Sequence, residues 1–147
     1  SFILTYGYNT DGGALAAKVG SIGESRTLGY QEHGTSGWFT IFIRGMLCNW
    51  MVSMGVVGAM ISTSAGSKMA AMWMPVMLFF FMGFEHSIVN MFLFPFSMIM
   101  GGEFTISDYL IWNEIPTVLG NLVGGFLLVG LPLYWTHVRT SAERKLV

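Results

Sequence analysis

The chain has 147 residues, of which 53% are hydrophobic and only 10% are charged, whereas soluble domains carry about 25% charged residues. A mean hydropathy of +0.60 indicates a membrane protein, and the net charge of −1 offers no basic field for nucleic acid. The single cysteine, Cys48, excludes an internal disulfide and a cysteine-based zinc cluster.

The N-terminal region is polar and glycine-rich after a short apolar start. Residues 1–8, SFILTYGY, look like the end of an apolar segment, so we expect the chain to be the C-terminal part of a longer polypeptide. Over residues 11–20, the run DGGALAAKVG predicts a short surface helix that Asp11 caps and Gly20 ends.

The first complete apolar span is predicted over residues 38–62, which is long enough to cross a bilayer. It is interrupted by Arg44, which can snorkel outward or face protein, and by Asn49. Asn49 lies in mid-span, as Asn121 does in the last span. A buried amide at that depth either locks helices together or lines a polar pore, and the sequence leaves both roles open.

The stretch 69–100 is apolar throughout except for the pair Glu85–His86 near its middle. As one straight helix it would be about 48 Å long, which exceeds the roughly 30 Å of bilayer hydrocarbon. We therefore predict two short helices that meet near the membrane midplane, with the break at Gly83–Ser87. Broken helices with a titratable group at the midplane are typical of solute pathways.

His86 is the first candidate for function, because a histidine with its ordinary pKa of about 6.5 changes charge near neutral pH. The alternative is a structural histidine that only forms a hydrogen bond across the bundle. Glu85 would diverge from His86 by about 100° on a helix, so we expect it to support the break by accepting backbone N–H groups or pairing with Arg44. Ser87 is a suitable N-cap for a helix from Ile88 onward, whose positive end would attract an anion.

The C-terminal part is predicted to contain a polar loop over 101–114, a last span over 115–135 and a polar tail over 136–147. Lysine and arginine are more frequent on the side of the tail and of the Lys68 loop, so we expect that side to be cytoplasmic. The last span reads GNLVGG at its centre, and this GxxxG spacing predicts a small helix face for close packing.

Three motifs resemble those of the formate/nitrite transporter family. They are GFEHSIVNMFLFP at Gly83–Pro95, CNWMV at Cys48–Val52 and IPTVLGNLVGG at Ile115–Gly125. The resemblance extends over residues 8–137. It implies an all-α membrane protein with an aquaporin-like bundle of six helices in each protomer, assembled as a homopentamer with one pore per protomer. This chain would supply the last three transmembrane helices and the end of the third, as part of a single transmembrane domain.

The resemblance also implies roles for individual residues. It places the interruption of the family's fifth helix at Gly83–Ser87 and the central pore histidine at His86. It places the two mid-membrane asparagines of the family at Asn49 and Asn121, and a pore constriction at Phe79. The chain lacks the helices that would form the other half of the pore wall, so we expect the full-length protein to conduct and this fragment alone not to conduct.

These features predict transport of a small monovalent anion, such as formate or nitrite, through a pore in which His86 transiently protonates the solute. Channel-like and proton-coupled transport both fit, and so do hydrosulfide and short monocarboxylates as solutes. The expected partners are the anion, protons, the lipid bilayer and further copies of the chain. We expect no enzyme activity, cofactor, metal or nucleic acid, and a location in the plasma or inner membrane with a cytoplasmic C-terminus.

Three alternatives fit the sequence less well. A pore for neutral solutes of similar bundle shape is not supported, because the sequence has no Asn-Pro-Ala pair. A membrane subunit of a respiratory enzyme, with His86 as a haem or metal ligand, would need a second ligand at membrane depth, and His33 and His137 lie outside the predicted spans. A purely structural membrane subunit would show no flux in its intact form.

Overall fold

A computed structural model describes residues 12–139, in which the regular elements are all helices. These are α1 (Gly12–Ser25), α2 (Leu28–Gln31), α3 (Gly34–Ile61), α4 (Ala65–Phe81), α5 (Ser87–Ile99) and α6 (Ile106–Arg139). Three parts of the sequence prediction lie outside the described residues: the span end at 1–8, the cap at Asp11, and the tail over 140–147.

The helices belong to two compact units. The first unit combines the described part of Ser1–Phe39 with Ser87–Pro116. The second unit combines Thr40–His86 with the described part of Thr117–Val147. The candidate pore residues other than Ser87 therefore all lie in the second unit.

The predicted interruption of the middle helix is confirmed, because residues 82–86 separate α4 from α5. Gly83 stops α4, since its φ of 62° lies in the left-handed region that L side chains rarely adopt. The amide of Phe84 then donates to the Phe79 carbonyl over 3.0 Å, and the amide of Gly83 donates to the Phe80 carbonyl over 3.1 Å. These two hydrogen bonds form a Schellman motif, a common way for a glycine to end a helix.

The last helix begins earlier than the sequence predicts. The prediction of a loop over 101–114 is wrong from Ile106 onward, where α6 starts. Thr105 and Asp108 form a capping box: the Thr105 hydroxyl accepts from the Asp108 amide, and the Asp108 carboxylate accepts from the Thr105 amide over 2.9 Å. Wider π-helical turns occur within α6 over Leu110–Glu114, Val123–Gly130 and Tyr134–Arg139.

The first helix continues through Gly20, where the sequence predicts its end. A Cβ at Gly20 would make only an ordinary contact of 3.4 Å with the amide nitrogen of Gly102, whereas a Cβ at Gly23 would overlap the Ser97 side chain. In the first unit Gly23 therefore lets α1 approach the end of α5. Gly20 lies within α1 and does not terminate it.

The first unit has an aromatic core. Phe94 on α5 is fully buried, stacks on Tyr109 with ring centroids 4.6 Å apart, and meets Phe104 edge to face at 5.7 Å. Such arrangements satisfy the preferred geometry of aromatic pairs. The core joins α5 to the first turn of α6 and to the loop before it.

In the second unit, α6 packs on α3 through glycines. A Cβ at Gly120 would overlap the Phe42 carbonyl, and a Cβ at Gly124 would overlap the Met46 carbonyl. The two backbones therefore approach each other as closely as glycine permits. This contact confirms the small-residue face predicted from GNLVGG.

Two of the described helices, α3 and α6, are long and apolar enough to cross a membrane, and α4 and α5 are shorter apolar helices. Many of their large apolar side chains are exposed; Phe81, for example, is 88% exposed and Ile61 is 79% exposed. Exposed apolar area on this scale is unfavourable in water and suits a lipid environment.

Candidate functional site

His86 lies at the end of the segment 82–86 and is half-buried. Its Nδ1 atom is buried and has no hydrogen-bond partner within residues 12–139. The imidazole ring lies beside Phe79, with ring centroids 5.8 Å apart and an interplanar angle of 30°. A buried ring nitrogen without a protein partner can donate to or accept from a solute or a further protein group.

Phe79 is the apolar neighbour of this histidine. It is 4% exposed and stacks on Phe80, with centroids 4.3 Å apart. Its carbonyl belongs to the Schellman motif that ends α4, so its backbone is held at the break. The structure thus places Phe79 next to His86, and its role as a pore constriction stays a prediction.

Asn121 links α6 to two other parts of the second unit. Its side-chain Nδ2 donates to the Gly45 carbonyl on α3 over 2.9 Å and to the Glu85 carbonyl over 3.0 Å. An amide NH₂ group has two N–H donors, so both are used on main-chain carbonyls. Since Glu85 directly precedes His86, this side chain fixes the backbone at the histidine.

Asn49 on α3 makes a related contact. Its Nδ2 donates to the main-chain carbonyl of Asn121 over 2.6 Å. A Cβ at Gly125 would lie 2.6 Å from the same Nδ2, so the glycine leaves room for the amide. Both asparagines therefore join α3 to α6. Of the two roles that the sequence leaves open, this favours locking helices together. Their role in lining the pore stays a prediction.

The residues predicted to support the break are found at it. Gly83 has the left-handed conformation described above, and Glu85 is 1% exposed. Arg44, a predicted partner of the Glu85 carboxylate, donates from Nη2 to the Met82 carbonyl over 3.2 Å. Ser87 is the first residue of α5 and belongs to the first unit, one residue before the predicted helix start.

A second polar cluster, in the first unit, was not predicted. Asn90 Nδ2 donates to Asn113 Oδ1 over 2.7 Å, and Asn113 Nδ2 donates to the Arg26 carbonyl over 2.9 Å. Tyr109 donates through its hydroxyl to Glu114 Oε2 over 2.8 Å. The sequence signal for this cluster is the isolated polar residues Asn90 in NMF and Asn113 and Glu114 in WNEIP. The last two lie in the stretch predicted as a loop.

No group of three or more His, Cys, Asp or Glu side chains within residues 12–139 is arranged to hold a metal ion. The chemistry available at the break consists of the His86 imidazole, the Glu85 carboxyl group, the Arg44 guanidinium, main-chain groups, two amides and an apolar ring. Such a set can move a proton and bind a small anion through hydrogen bonds.

The model of the formate/nitrite transporter family matches residues 1–135. The chain belongs to the formate/nitrite transporter family. It is 37% identical over 128 residues to a probable formate transporter of Methanothermobacter thermautotrophicus, covering 87% of this chain and 43% of that protein. It is 36% identical over 115 residues to the formate channel FocA of Escherichia coli strain K12, covering 66% of this chain and 40% of that protein.

The solved structures include a pentameric formate channel with formate bound that has the same fold. The TM-score is 0.72 at 28% sequence identity, and the match covers 88% of this chain and 55% of that one. The all-α, channel-like fold implied by the family motifs is thereby confirmed, and the chain belongs to an integral membrane protein. It spans less than half the length of the two curated relatives named above.

Proposed function

We propose that this chain is part of a transporter whose full-length form moves formate and similar small monovalent anions across a membrane. Family membership supports this proposal, as do relatives named as formate transporters and channels. The solved neighbour is pentameric and holds formate, which supports a homopentamer and a formate site. The proposal includes a cell-membrane location, a cytoplasmic C-terminus and a transport role without enzymatic chemistry.

The observation that carries the proposal is the environment of His86. Its Nδ1 atom is buried without a hydrogen-bond partner in the described part of the chain, and the ring lies 5.8 Å from that of buried Phe79. A polar atom in such a position is unfavourable unless a solute, water or another protein group completes its hydrogen bonding. A small anion that passes the break would meet this atom.

The proposed mechanism addresses the cost of moving a charge past an apolar ring. A bare anion beside Phe79 would lose its hydration, which is strongly unfavourable. Protonated His86 attracts formate and transfers its N–H proton to a carboxylate oxygen, which leaves a neutral imidazole and formic acid. The neutral acid crosses the constriction and releases its proton on the far side, and the imidazole regains a proton from water.

The remaining candidate residues support this step. Asn121 holds the Glu85 carbonyl, and Asn49 holds the Asn121 carbonyl, so α3 and α6 together fix the backbone before His86.

Flux into proteoliposomes with the full-length protein tests the function directly. We expect formate and nitrite to enter faster than into protein-free vesicles, and urea, a neutral solute of similar size, to enter no faster than in the control. Equal acceleration of urea would indicate a pore for neutral solutes instead. No acceleration of any of the three solutes would overturn the proposal and favour a structural membrane subunit.

A further inference from the structure

The segment 82–86 is held through its main chain from two helices. On one side, Asn121 of α6 donates to the Glu85 carbonyl over 3.0 Å. On the other side, Arg44 of α3 donates from Nη2 to the Met82 carbonyl over 3.2 Å. The two donors thus bracket the residues that lead from the end of α4 to His86.

The Met82 carbonyl differs from the carbonyls before it. The carbonyls of Phe79 and Phe80 accept from the amides of Phe84 and Gly83 in the Schellman motif. The last carbonyls of a helix have no intrahelical donor and carry the negative end of the helix dipole. The Arg44 guanidinium places a positive charge and an N–H donor at this end of α4, a favourable combination at the negative end of a helix dipole.

The position of Arg44 in the sequence adds weight to this contact. It is the only Asp, Glu, Lys or Arg residue in the predicted span 38–62, and it is half-buried. A charge inside a membrane span is costly, so such residues usually have a defined partner. The next residue on α3, Gly45, accepts a hydrogen bond from Asn121 through its carbonyl over 2.9 Å. The same turn of α3 therefore carries Arg44, one of the two donors, and binds Asn121, the other.

We propose that Arg44 is a positioning residue for His86. By holding the Met82 carbonyl, it fixes the end of α4 and, with Asn121, the orientation of the backbone that presents the imidazole to the solute. The inference rests on the proposed transport function. It predicts that loss of the Arg44 side chain impairs proton transfer by His86, although Arg44 itself need not touch the anion.

Formate flux of the full-length protein in proteoliposomes, measured from about pH 5 to 8 around the histidine pKa, tests this role. Arg44→Met keeps the length of the side chain and removes the charge. We expect the rise in flux at acid pH to fall by about tenfold, in line with the loss of one hydrogen bond to a charged group. Arg44→Lys should restore part of that rise, since it keeps a cationic donor, and Lys68→Met is a matched control on an exposed lysine that should behave as wild type.

Hydrogen exchange provides a readout that does not depend on transport. In Arg44→Met we expect the amides of Gly83 and Phe84 to exchange faster than in wild type, while Lys68→Met leaves them unchanged. If Arg44→Met does not give monodisperse protein, Arg44→Gln replaces it, because glutamine is polar but lacks the charge, and its amide ends two atoms short of the Nη2 that donates to Met82.

The outcomes separate the two proposals. No formate flux in wild type would overturn the transport function, whereas hydrogen exchange would still report whether Arg44 holds the Met82 carbonyl. Wild-type flux and exchange in a folded Arg44→Met or Arg44→Gln variant would overturn the positioning role and leave transport standing. Faster exchange with an unchanged pH profile would also overturn it, because Arg44 would then only stabilise the helix end.

Discussion

The side-chain amide of Asn121 donates a hydrogen bond of 3.0 Å to the main-chain carbonyl of Glu85, the residue directly before His86. The same nitrogen donates to the Gly45 carbonyl over 2.9 Å. A side chain on the last helix therefore sets the backbone next to the histidine and connects it to α3. Asn121 thus reaches the candidate transport site through the main chain.

Removing this amide should destabilise the protein and impair transport. Asn121→Leu keeps the branched arrangement of side-chain heavy atoms but leaves the carbonyls of Gly45 and Glu85 without their donor. Each buried acceptor left in this way costs about 1–3 kcal/mol, so we expect a loss of about 2–4 kcal/mol in the free energy of unfolding. Unfolding in detergent measures it, with Leu122→Ala on the exposed neighbouring position as the control. Equal stability of Asn121→Leu and wild type would contradict the assigned hydrogen bonds.

The glycine contact between α6 and α3 gives a second prediction. Gly124→Ala would force a methyl group against the Met46 carbonyl, so the two helices must separate. Overpacking of this kind costs about 1–3 kcal/mol, and we expect a lower melting temperature in detergent and less pentamer on size-exclusion chromatography. Gly130→Ala is the matched control, because the nearest atom to its Cβ would be 3.4 Å away, an ordinary contact. If Gly124→Ala and Gly130→Ala have the same melting temperature, the close packing assigned to Gly124 is contradicted.

The turn at the break predicts an order among three variants. Gly83 has a φ of 62°, and a residue with a Cβ pays about 1–2 kcal/mol for this conformation. We therefore expect Gly83→Ala to lose stability and flux, and Gly83→Asn to lose less, since asparagine tolerates left-handed backbone better. Gly66→Ala, in the first turn of α4 with open space around it, should match wild type. Thermal unfolding and formate flux of the three proteins check this order, and a Gly83→Ala variant indistinguishable from Gly66→Ala would contradict it.

The buried asparagine pair of the first unit should show energetic coupling. Asn90 and Asn113 share a hydrogen bond of 2.7 Å, and both are fully buried. In a double-mutant cycle with Asn90→Leu and Asn113→Leu, we expect a coupling energy of about 1 kcal/mol in detergent unfolding. A coupling energy near zero would mean that the two side chains act independently. Detergent unfolding is measured without any flux assay, so this result is separate from the transport tests.

Features set by neighbouring residues in the sequence were predictable. The break follows from an ionisable pair beside Gly83 in an apolar run, and the structure ends α4 there by the local chemistry of a left-handed glycine. The start of α6 is also encoded locally, in the spacing of Thr105 and Asp108, although the acidic residues of this stretch favour a loop.

Features set by distant residues were not predictable from the sequence. Gly20 resembles a helix end, yet α1 continues to Ser25, and Gly23 in this continuation packs closely against Ser97 of α5. The sequence placed Asn121 at mid-span without showing that its donors reach Gly45 and Glu85, 76 and 36 residues away along the chain. Such choices depend on which backbone carbonyls tertiary folding brings within reach, and periodicity alone does not contain this information.

The most direct test of the account is the pH dependence of formate flux in wild type and His86→Asn, measured by stopped flow on proteoliposomes of the full-length protein. The range of about pH 5 to 8 brackets the ordinary histidine pKa. Flux into protein-free vesicles is subtracted, because formic acid crosses lipid unaided as the pH falls. The control variant is His33→Asn, which changes an exposed histidine outside the predicted spans.

We predict that wild type and His33→Asn gain flux as the pH falls through the histidine range, since protonated His86 attracts and protonates formate. His86→Asn should lose this gain and show a low, flat profile. A His86→Asn protein with the same flux and the same pH dependence as wild type would contradict the central claim and make His86 a packing residue.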